Sequence, residues 1–135
     1  MSDARTTGRT KDAGWEIGVR RTVPAEVDEV WALVRSPEGT AAWLGGPLAI
    51  AEGPYRLEDG TDGEVRVDEP GSHIRLTWRP PGREEPTVVQ VRVLPAASGA
   101  TIAFHQERLE GPEEREAMRA HWTGVIDRLR GMLEA

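Results

Sequence analysis

From Trp15 the chain alternates, with Trp15, Ile17, Val19 and Arg21 on one side and Glu16, Gly18, Arg20 and Thr22 on the other. That period of two predicts a strand with one buried face. Over residues 23–34 the period lengthens: Val27, Val30, Trp31 and Val34 recur at i, i+3, i+4 and i+7, and Pro24 suits a first helical turn. Ser36 followed by Pro37 restarts a helix as N-cap and first residue, and this helix carries Trp43 and Leu44 before Gly45-Gly46-Pro47 stops it. Two short helices therefore form an elbow behind the first strand.

Between Pro47 and Leu109 the pattern is one of strands and turns. Short strands are expected at 47–50 and 54–57, with turn chemistry at Asp59-Gly60 and Asp62-Gly63. Gly63, Val65 and Val67 mark the inner face of the next strand, and Glu69-Pro70-Gly71-Ser72 reverses the chain. Ile74, Leu76 and Trp78 mark another, closed by Pro80-Pro81-Gly82; Val89, Val91 and Val93 mark the one after, and Ala100, Ile102, Phe104 and Gln106 the last. Tight turns between successive strands make this an antiparallel meander. After Gly111-Pro112 the helical period returns, and Arg115, Met118, Trp122, Val125, Ile126, Leu129 and Leu133 form one stripe.

The resulting order, β-αα-ββββββ-α, is an α+β arrangement. A curved antiparallel sheet of about six to seven strands wraps a long C-terminal helix, with two short helices after strand 1. A sheet curled round a helix leaves room for a cavity between them. Residues 1–13 are small and polar with no apolar period, which reads as a flexible tail ahead of one domain over 14–135.

Composition narrows the function. A net charge of −6 leaves no general attraction for a phosphate backbone, so nucleic acid is not an expected partner. The absence of cysteine excludes disulfides, thiol nucleophiles and thiolate-held metals. Apolar runs are too short for a membrane span, and the first residues lack a signal-peptide core, so a cytoplasmic protein without a membrane partner is expected. Lys11 is the sole lysine among many arginines, a bias typical of high-GC bacterial genomes.

Candidate chemistry centres on aromatic residues, five of which are tryptophan. Trp78, Phe104 and Met118 fall on inward faces, Trp31 and Trp122 sit mid-stripe on their helices, and Trp43 and Tyr55 lie near the expected mouth of the cavity. Gln106 and Arg115 fall on inward positions and are suited to meet a ligand's hydroxyl or carboxylate. The alternatives are that Gln106 ends its strand in solvent and that Arg115 pairs with Glu113, Glu114 or Glu116. His73, His105 and His121 stand on different elements without metal-ligand spacing, so no metal is expected. His105 and Glu107 share the face opposite Phe104, where they form either a surface network or an acid–base pair. No nucleotide-binding glycine motif or nucleophile elbow is present, and no cofactor is expected.

The segments VPAEVDEVWALVRSPEGTAAWLGG, HIRLTW and IAFHQERLEGPEEREAMRAHWTGVIDRLRGML resemble the homologues of the activator of heat-shock protein 90 ATPase, in the SRPBCC (START/Bet v 1-like) superfamily. The resemblance spans roughly Trp15 to Leu133 and is most specific at His105-x-Glu107-Arg108-Leu109 before a helix bearing Trp122 and Leu129. It implies the helix-grip fold, with a hydrophobic cavity between sheet and long helix. The first expectation is a small hydrophobic or aromatic ligand held by Trp43, Tyr55, Trp78, Phe104, Gln106, Arg115, Met118 and Trp122, without catalysis. The second is a polyketide cyclase or aromatase in which His105, Glu107 or Arg115 moves protons. The third is an activator-like module with a chaperone partner. The eukaryotic activators carry an additional N-terminal docking domain that 135 residues do not accommodate.

Overall fold

Strands form where the alternation places one apolar face, and the computed structural model describes residues 9–10 and 14–134. β1 (Arg9–Thr10) pairs antiparallel with the start of β2 (Gly14–Val23). These two β1 residues fall in the segment read as a tail, and the rest of 1–13 lies outside the described residues. The elbow follows as α1 (Val27–Arg35) and α2 (Pro37–Trp43). β3 (Gly53–Arg56), β4 (Asp62–Glu69), β5 (His73–Trp78), β6 (Thr87–Ala96) and β7 (Gly99–Leu109) make the meander, and α3 (Pro112–Glu134) ends it.

The seven strands form one antiparallel sheet in the order β1-β2-β7-β6-β5-β4-β3. The last long strand thus returns to lie beside the first, with Ile17 opposite Gln106 and Val19 opposite Phe104. Ile74, Leu76, Val89, Val91, Ile102 and Phe104 are buried on the inner face, and Trp122, Val125, Ile126 and Leu129 of α3 are buried against it. α3 also packs on α1 and α2, so the sheet and the elbow hold the helix from several sides. This is the helix-grip architecture. No helix among the described residues is long and apolar enough to cross a membrane.

Three local expectations are corrected. Pro24 does not open a helix: Val23 still pairs with Ala100 in the sheet, a short turn carries Ala25 N to Val23 O at 2.9 Å, and α1 begins after Glu26. Residues 47–50 are not a strand. Their backbone is held by side chains instead, Leu48 N donating to Thr40 Oγ1 at 2.9 Å and Arg35 Nη2 donating to Ile50 O at 3.2 Å. Five strands, not six, therefore follow the elbow. The Ser36 cap behaves as expected, accepting from Gly39 N at 3.0 Å with Pro37 leading the helix.

Candidate functional site

Alternation along β7 turns Phe104 and Gln106 toward α3, and the end of β5 adds Trp78 beside them. Phe104 stacks on Trp122, with ring centres 4.7 Å apart and planes inclined by 14°. Trp43, from the end of α2, leans on Phe104 at 5.8 Å, and Trp78 leans on Trp122 at 5.7 Å. Four of the expected ligand residues thus meet in one aromatic layer between sheet and helix.

A buried indole needs a partner for its N–H, and each of these three finds one. Trp43 Nε1 donates to Val34 O at 3.0 Å and Trp78 Nε1 donates to Leu44 O at 3.0 Å, pinning the end of α2 to the sheet. Trp122 Nε1 donates to Gln106 Oε1 at 2.9 Å. Gln106 is only 1% exposed, so the solvent alternative does not apply to it. Its Nε2 donates to Thr87 Oγ1 at 3.0 Å, and Thr87 Oγ1 donates to Trp78 O at 3.0 Å. The amide therefore links the backbone of β5 and the hydroxyl of β6 to the indole on α3.

The remaining candidates stand apart from the rings. Met118 is half-buried against the core. Arg115 Nε donates to Glu16 O at 2.8 Å, and its Nη1 lies 3.3 Å from Glu116 Oε2, which is the neighbouring-glutamate pairing considered for it. Tyr55 is buried but makes no ring contact among the described residues. Its hydroxyl donates to Thr77 O at 2.7 Å, and burial, with Asp62 nearby, holds its pKa above the ordinary phenol range. Clefts of about 580, 390 and 380 Å³ open among the described residues. Tyr55 borders the last of them, and the aromatic layer lines none of the three.

On the opposite face of the sheet His105 Nε2 lies 2.7 Å from Glu16 Oε1 and its Nδ1 lies 3.7 Å from Glu107 Oε2, while Arg75 Nη2 bonds Glu107 Oε1 at 3.1 Å. His105 and Glu107 thus belong to an outer-face network and do not converge with the aromatic layer. No group of histidines and carboxylates among the described residues is arranged to hold a metal.

Two members of the layer were not foreseen. Thr87 lies at the first position of β6 and is buried. His121 stacks on Trp78 at 5.8 Å and 27° and meets Trp122 edge-on at 4.6 Å and 78°. Its Nε2 is buried without a hydrogen-bond partner among the described residues. Burial first, and Arg128 second, hold the imidazole below its ordinary pKa. The sequence signal was its place beside Trp122, three residues after Met118 on the same helix.

Among curated proteins none matches the chain. Among solved structures it is similar to DynU16, a protein in the dynemicin biosynthetic locus, at 28% identity and a TM-score of 0.77 over 89% of this chain. The chain spans 47% of DynU16, about half its length. CalU16 from Micromonospora echinospora aligns at 22% identity and a TM-score of 0.76 over 93% of this chain and 79% of that one. MLL2253 from Mesorhizobium loti aligns at 21% and 0.72, over 88% and 96%. These two likenesses establish the fold alone. The model of the Activator of Hsp90 ATPase homolog 1-like protein family matches residues 24–134, from the elbow through the length of α3, and the chain belongs to that family within the SRPBCC superfamily.

Proposed function

We propose that the protein binds a small hydrophobic or aromatic molecule between the sheet and α3, against the layer of Trp43, Phe104, Trp122 and Trp78. The observation that carries this reading is Gln106, a fully buried amide bonded so that it orients Trp122 and, through Thr87, the end of β5. A core built only for stability favours aliphatic residues and Phe, with no polar atoms to satisfy. Flat rings held at fixed angles by a polar scaffold suit the recognition of a flat apolar ligand. Family membership and the likeness to a biosynthetic-locus protein support a small-molecule role. The rings touch one another, so entry requires the end of α2 to move away, and Gly45-Gly46, just beyond the C-cap Leu44, supplies the freedom.

Titration with aromatic polyketides, flavonoids, fatty acids and sterols, followed by tryptophan fluorescence, tests the proposal. Saturable one-to-one quenching by at least one class is expected. Phe104→Leu, which keeps an apolar side chain there, should weaken that binding about 3- to 10-fold through the lost ring contact while the domain stays folded. A flat response to every class overturns the reading.

A further inference from the structure

Every indole N–H of the aromatic layer and both ends of the Gln106 amide are satisfied within the protein. His121 Nε2 is not. It and Arg83 Nε are buried polar atoms without a partner among the described residues, and Arg83 is otherwise bonded through both terminal nitrogens, to Glu114 and to Arg108 O. A buried polar atom left unpaired carries its full desolvation penalty, and a ligand group that pairs with it recovers that loss at the moment of binding.

We propose that His121 is the hydrogen-bonding residue of the ligand site, and that the ligand it selects is a planar aromatic molecule with a free hydroxyl, of the phenol or naphthol class. The inference rests on the ligand-binding reading above. Two rings flank the half-buried imidazole, Trp78 stacked on it and Trp122 across it, and such faces fit a flat ring better than an alkyl chain. Burial and the nearby Arg128 favour the uncharged ring, and a neutral imidazole nitrogen pairs well with a neutral hydroxyl. The position is one ring away from the segment that must move: Trp78 holds Leu44 O, Arg128 Nη1 donates to Ala42 O at 3.3 Å, and Gly45 follows with φ of +112°.

The test compares 2-naphthol with 2-methoxynaphthalene by calorimetry on the full chain and on His121→Phe, which keeps a ring against Trp78 and Trp122. The wild-type protein should bind the naphthol about 3- to 10-fold more tightly than its ether, the worth of one neutral hydrogen bond, and His121→Phe should bind the two alike. In the wild-type protein the ¹⁵N resonance of His121 Nε2 should shift with the naphthol and not with the ether, a readout independent of whether the variant folds. Equal wild-type affinity for the two compounds, or an unmoved His121 resonance, overturns the role of His121 and leaves ligand binding standing. Binding of fatty acids or sterols but of neither naphthalene overturns the ligand class. Failure of every compound, the earlier panel included, removes the ligand-binding reading itself.

Discussion

Gln106 places one amide between two strands and a helix, and its energetic role depends on what it leaves behind when removed. In Gln106→Leu the indole of Trp122 loses its acceptor inside the core. A buried donor without a partner costs about 1–3 kcal/mol, so urea denaturation should register a loss of that size. Trp122→Phe removes the orphaned donor but also its packing area. If the amide acts through the indole, the double variant should be more stable than the sum of the single losses allows, with a coupling of about 1–2 kcal/mol. Strict additivity would mean that Gln106 serves the Thr87 side alone. This part of the site was legible in the sequence, because alternation on β7 and the stripe on α3 place Phe104, Gln106 and Trp122 inward. His121 was not, since its partner ring, Trp78, belongs to another element and only the packing of β5 under α3 brings them together.

At the scale of elements the elbow shows how tightly a short connection can specify a turn. Leu33 O accepts both the backbone N–H and the hydroxyl of Ser36, and a side chain added at Gly39 would place its Cβ 1.8 Å from that oxygen. Backbone cannot yield there without opening the junction of α1 and α2, so Gly39→Ala should destabilise the protein by about 1–3 kcal/mol or more. A Cβ added at Gly124, on the exposed side of α3, would meet no other part of the described residues within 4 Å, and Gly124→Ala should stabilise by about 0.5–1 kcal/mol through helix propensity alone. Thermal melts of the two variants should move in opposite directions; a shared direction would refute the steric account of Gly39. The cap at Ser36 and the length of α3 could be read from local pattern because local pattern causes them. Residues 47–50 misled for the converse reason: Leu48 and Ile50 pack on the core, but their backbone bonds go to Thr40 and Arg35, partners no period reveals.

Over the whole molecule backbone pairing is unevenly distributed, and the proposed ligand entry lies beside a segment outside the sheet and helices. β7 pairs with β2 on one side and β6 on the other through long antiparallel registers, and α3 is packed against β2 and β7. β3, four residues long, is an edge strand at the far side. The stretch from Leu44 to Glu52 that leads to it is outside the sheet, and Trp78, Thr40 and Arg35 tether it by side-chain bonds. Segments with few backbone bonds of their own open locally at a fraction of the global free energy. Native-state hydrogen exchange should therefore find the Leu48 amide exchanging through a local opening, while Val91 and Phe104 exchange only with global unfolding. A ligand seated on the aromatic layer should slow Leu48 without changing the order of the other two, because it holds the end of α2 closed over the rings. If Leu48 instead exchanges in step with Val91 and Phe104, this segment does not open by itself, and a ligand would have to reach the layer by another route.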